Sequence, residues 1–161
     1  MRIIANALII LFIAALVGYA LVGDRDQFRR DDYCLGVDAY HFGVLGNTTR
    51  YYTIWIGRYT GIAVLSGIYL TIGEEAAEIV PSFILLGLVI ALHTLLRRIV
   101  RYPLLMSLAF TCAFVYSSPN IWEVIYWTPG DILYVGPVIL FLPFFRFLLH
   151  SHSPDSTSRI R

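Results

Sequence analysis

A chain of 161 residues would ordinarily make one soluble domain, at roughly 100 to 200 residues per domain, but its composition excludes that reading. Hydrophobic residues are 58% and charged residues 14%, against about 45 to 50% and about 25% in soluble domains, and mean hydropathy is +0.70. The net charge is +1 and every basic residue is arginine, so there is no basic face for nucleic acid. Two cysteines, Cys34 in a polar stretch and Cys112 in an apolar one, do not make a disulfide scaffold.

The expected fold is an all-α integral membrane protein with four transmembrane helices, or five if one ambiguous segment crosses. Residues 3–22 are apolar except for Asn6. That is about the 20 residues needed to cross a hydrocarbon core of roughly 30 Å, and longer than the roughly 7 to 15 residues of a signal-peptide core. The segment reads as a retained anchor with a cytoplasmic N-terminus. Residues 23–53 form an extracytoplasmic acidic loop carrying Asp24, Asp26, Asp31, Asp32 and Asp38 among arginines. Within it Asn47-Thr48-Thr49 has the form of a glycosylation sequon.

Residues 54–72 are moderately apolar but contain Arg58, Gly57, Gly61 and Gly67, and read as a re-entrant or interfacial helix or as a crossing. Crossings follow at 79–96, closed by Arg97, Arg98 and Arg101, then at 102–116 and at 132–149, where Arg146 can snorkel. Between the last two lies an extracytoplasmic aromatic loop, 117–131, and a tail, 150–161, ends the chain. The arginines decide the count. If 54–72 crosses, the Arg97–Arg98–Arg101 cluster falls outside, against the positive-inside rule. With four crossings the cluster and the tail are both cytoplasmic, and the two polar loops share one face.

Three groups of residues carry candidate chemistry. Asp31 and Asp32 are adjacent acids just beyond the first crossing. Such a pair holds a divalent metal, Mg or Mn, or supplies a general base; alternatively it is a solvated cluster neutralised by Arg25, Arg29 and Arg30. Arg58 is costly within an apolar segment and suits a phosphate by paired hydrogen bonds, or it snorkels to lipid. Glu123, bracketed by Trp122, Tyr126 and Trp127, sets an acid beside aromatic faces that stack on sugars, or belongs to an interfacial belt. His41, His93, His150 and His152 do not form a metal set, and no phosphate-loop or dinucleotide glycine pattern is present.

The order of these elements is informative: a first span, RRDDYCLG, then YYTIWIGRYTG, and later IWEVIYWTPGDILYVGP. It resembles the N-terminal part of polytopic GT-C-type membrane glycosyltransferases, over most of residues 1–145. The resemblance implies transfer of a sugar from a polyprenyl-phosphate donor at the extracytoplasmic face of a bacterial inner membrane. Asp31 and Asp32 then match the acidic pair, with Asp32 foremost as base or metal-associated acid. Arg58 matches the arginine of the second element, and Glu123, Tyr126, Trp127 and Tyr134 match the third as substrate-binding residues. Members of that class carry more crossings, so this chain reads as a short or truncated relative. The competing reading is a small non-catalytic subunit that packs in a larger membrane complex, with lipids and a larger membrane protein as partners. The two differ in whether Asp31 or Asp32, Arg58 and Glu123 converge on a cavity.

Overall fold

The structure is a computed structural model describing residues 2–23, 30–54, 58–120 and 126–151; no side-chain detail is described for residues 22, 23, 30, 31 and 149–151. All regular elements among the described residues are helical. They are α1 (Arg2–Gly23), α2 (Arg30–Ile54), α3 (Tyr59–Ile72), a 3-10 turn (Gly73–Glu75), α4 (Ala76–Leu96), α5 (Pro103–Ser117), a helical turn (Thr128–Gly130), a π-helical turn (Asp131–Val135) and α6 (Gly136–Ser151).

Three stretches are long and apolar enough to cross a membrane: Arg2–Leu21, Tyr59–Leu96 and Thr128–Leu148. The Pro103–Ser117 helix is apolar but shorter. Their outward faces explain the composition. Ile3, Leu140 and Phe147 are 84%, 76% and 67% exposed, which in water would be an unusually large apolar surface and in lipid is none. The helices are thus compatible with an integral membrane protein.

The stretch expected as a loop is mostly helix. α2 is bent sharply at Gly43 (φ 65°, ψ 178°), in the left-handed region that only glycine enters without strain. The bend is deep enough that residues 12 or 13 apart meet: Asn47 Nδ2 donates to the Leu35 carbonyl at 3.4 Å and the Tyr51 hydroxyl to Asp38 at 3.1 Å. In a straight helix such residues would stand about 18 Å apart at 1.5 Å per residue. Both arms of α2 pack on α3, through a core of Leu35, Tyr51, Ile62, Leu65 and Tyr69 that continues into Ala76, Val80 and Ile84 of α4 and Val135 of the π-helical turn. That core supplies the apolar burial that holds a polar, glycine-containing segment in helical form.

α3 passes into α4 through a second bend at Gly73 (φ 59°), so residues 59–96 are two helical arms rather than one rod. α4 then packs on α1, α5 and α6, and α1 packs on α5. Pro103 opens α5, where its missing amide hydrogen is no loss. A smaller core of Leu85, Val115 and Tyr126, with Leu16 and Tyr19 against it, ties α1, α4 and α5 together. The Cys112 thiol points at the Phe12 carbonyl at 3.8 Å, and Cys34 and Cys112 are both free thiols.

Candidate functional site

Asp32 lies in the first described turns of α2, 2% exposed. Its Oδ1 accepts a hydrogen bond of 2.7 Å from the Tyr69 hydroxyl of α3. The α2–α3 core therefore does two things at once: it orders an otherwise polar segment, and it carries an acidic side chain inward against a fixed donor.

The helical turn Thr128–Gly130 packs against both α2 and α4, and Asp131 follows it at the head of the π-helical turn. A Trp127 carbonyl accepts its amide hydrogen at 3.0 Å, while the side chain is completely buried. Both Asp131 carboxylate oxygens and the Thr128 hydroxyl oxygen lack a hydrogen-bond partner. Asp131 lies within electrostatic reach of Asp32. Two carboxyl groups are thus brought together from the two polar segments of the chain, with an unpartnered hydroxyl at the foot of one of them. Buried polar atoms almost always find partners, so three orphans in one turn mark a place where the fold does not serve packing alone. π-helical turns recur at functional sites for the same reason, since the widened backbone loosens ordinary helical pairing.

The residues expected to act divide into four sets, and the cavity beside Arg58 is not lined by Asp32. Asp32 sits within this acidic centre. Arg58 is exposed at the start of α3 and lies over the Tyr134 ring at 4.6 Å, a cation–π arrangement. It borders a cavity of about 240 Å³ formed with Tyr59, Gly61, Ile132, Leu133 and Pro137. α3 and the π-helical turn approach very closely here, since a Cβ on Gly61 would run into the Leu133 Cδ2. Tyr134 also lines a second cavity of about 450 Å³, walled by Leu88, Leu92, Phe110, Phe114 and Val138 between α4, α5 and α6. Tyr126 is buried, its hydroxyl donating to the Tyr19 carbonyl at 2.6 Å, and Trp127 beside it is half-buried. The side chain of Asp31, and Glu123 altogether, lie outside the described residues.

Arg50 approaches Asp38 at 3.8 Å and covers the Phe42 ring at 4.8 Å, beside a cavity of about 300 Å³ that includes Tyr51. Burial, followed by the hydrogen bond to Asp38, pushes the Tyr51 hydroxyl up to about 12. Asn47, the sequon residue, is completely buried and donates to the Ser66 hydroxyl at 2.9 Å. It serves the α2–α3 contact and is not open to an enzyme that would glycosylate it.

Asp131, Thr128 and Tyr69 were not singled out from the sequence. Asp131 did leave a signal, an acid at the mouth of an apolar run, where an ionisable residue is costly and calls for a role. Tyr69 left none, because its meaning depends on which turn of α2 it faces. No protein-family model, no curated protein and no solved structure matches the chain.

Proposed function

We propose that the chain is a membrane glycosyltransferase-like protein of the bacterial inner membrane, handling a sugar carried on polyprenyl phosphate at the extracytoplasmic face. The observation that carries this reading is the pairing of buried Asp32 with buried Asp131, one from each polar segment. Such a pairing supports two segments lying on one membrane face, as four crossings with α5 among them require. N- and C-termini are then cytoplasmic.

In this reading Asp32 is the base that takes the acceptor proton, oriented by the Tyr69 hydroxyl. Arg58 stabilises the phosphate leaving group, and Tyr134 beneath it offers a ring face to the sugar or to the first isoprene unit. The apolar cavity beyond Tyr134 suits a polyisoprenoid chain. Asp131 and Asp32 would offer a divalent ion carboxylate oxygens and Thr128 a hydroxyl oxygen, the hard donors that suit Mg or Mn. When bound, such an ion would neutralise donor phosphate charge.

A second reading, a non-catalytic subunit of a larger membrane complex, draws on the complete burial of Asp131 and on Tyr126 being engaged with α1. The separating experiment is sugar transfer from a polyprenyl-phosphate donor by wild type and Asp32→Asn in proteoliposomes. The amide oxygen still accepts from Tyr69, so folding is retained. Transfer by wild type and its loss in Asp32→Asn is the expected result; equal rates remove Asp32 from the mechanism. No transfer by wild type, with a large protein co-purifying stoichiometrically in mild detergent, establishes the subunit reading.

A further inference from the structure

α4 separates two unlike ends of the molecule. Its first turn, at Ala76 and Val80, packs in the core that holds Leu35 and Tyr69 beside Asp32. Its other end, 21 residues on and about 30 Å away at 1.5 Å per residue, opens into the turn bearing Arg97, Arg98 and Arg101. All three arginines are exposed. Arg146 reaches the same end from α6: its guanidinium donates to the Thr94 carbonyl in the last turn of α4 and feels the positive charges of Arg97 and Arg98.

Among the described residues, the helices at this end carry no counter-charge. No Asp or Glu occurs between Glu78 and Glu123 or between Asp131 and Asp155, and α1 has none either. The four packed helices α1, α4, α5 and α6 therefore contain one acid, Glu78, and it lies in the first turn of α4, at the far end from the arginines. Arg97, Arg98 and Arg146, gathered against one another with Arg101 three residues further on and held without an acidic partner on these helices, repel unless something anionic lies among them. Arg146 is moreover tethered by a backbone carbonyl, so its guanidinium is held in place rather than free to swing away. Tyr102, beneath Arg101 at 5.5 Å, marks the headgroup level at which tyrosine accumulates.

We infer that Arg97, Arg98, Arg101 and Arg146 form a headgroup site for anionic phospholipid at the membrane boundary opposite Asp32. The ligand chemistry is a lipid phosphodiester, which guanidinium groups hold by paired, charge-assisted hydrogen bonds. Each arginine near an anionic membrane surface strengthens attachment on the order of fivefold. The tail of a lipid so held lies along the apolar outer faces of α4 and α6.

The test is native mass spectrometry of the full chain in mild detergent, titrated in parallel with phosphatidylglycerol and phosphatidylcholine of the same acyl chains. The expected result is phosphatidylglycerol retained at concentrations at least tenfold lower than phosphatidylcholine. That preference falls to near parity in the Arg97→Gln, Arg98→Gln, Arg101→Gln triple variant. An Arg-to-Lys triple variant keeps the charge, guards against a folding failure, and retains only part of the preference. Equal retention of the two lipids by wild type overturns the inference whatever the variants do. Displacement of phosphatidylglycerol by millimolar inorganic phosphate overturns it too, showing a site for free anions rather than headgroups.

Discussion

Replacing Asp131 by asparagine should make the protein more stable while impairing its function. The side chain is completely buried, both carboxylate oxygens lack a partner, and Asp32 stands within electrostatic reach. A carboxyl without a partner in such a place costs several kcal/mol at neutral pH, whether it bears the charge or avoids it by keeping its proton, whereas an unsatisfied neutral polar group costs about 1 to 3 kcal/mol. The isosteric amide keeps the volume and removes the ionisable group, so the net gain is about 2 kcal/mol. For a domain of this size that corresponds to a rise in Tm of roughly 4 to 8 °C, readable by intrinsic fluorescence in detergent across a ramp. Because the two acids share one electrostatic penalty, Asp32→Asn relieves part of the same cost. The double variant should then fall short of the sum of the singles by about 0.5 to 3 kcal/mol, the usual range for coupled groups. A Tm that falls in Asp131→Asn, or single effects that add within about 0.5 kcal/mol, would show that Asp131 is paired in the membrane and that the acidic centre is an ordinary structural feature.

The other expectations concern the scaffold that carries the site. Leu65 is fully buried in the α2–α3 core, so Leu65→Ala should cost about 3 kcal/mol and melt α2 before the bundle, seen as early hydrogen exchange in residues 30–54 with α5 still protected. Tyr51 should titrate near pH 12 rather than with the other tyrosines. A raised folded value means its stability contribution is full below the ordinary tyrosine value of about 10 and is lost as pH climbs through about 12. Absorbance at 295 nm should show this late step in wild type and lose it in Tyr51→Phe; an unchanged alkaline profile would refute it. At Gly61 the neighbouring atom is the end of a flexible leucine, so Gly61→Ala should be tolerated while Gly61→Leu pushes the π-helical turn away and disturbs Arg58 over Tyr134, measured as weakened donor binding with α1 and α5 unperturbed.

Much of the architecture is legible in the residues themselves because hydrophobic runs of membrane length have few other solutions. Residues 3–22, 79–96 and 132–149 fall within the helices α1, α4 and α6 with its preceding π-helical turn, since backbone in hydrocarbon must satisfy its own hydrogen bonds. The helicity of residues 30–54 is not legible in the same way. The bend at Gly43 resets the helical phase halfway along, so the residues facing α3 do not repeat at one period, and what holds them is burial supplied by Leu65 and Tyr69 from another helix.

The acids show the same division. Asp32 stands out in sequence as one of an adjacent pair just beyond a long apolar helix. That it points inward, that a tyrosine 37 residues away donates to it, and that its neighbour in space is Asp131 are results of packing α2 on α3 and on the turn at Thr128. Composition and hydropathy are local sums, and they determined that this chain is helical and suited to lipid. Which polar groups meet is a property of how the helices are bent and stacked, and only the tertiary structure decided it.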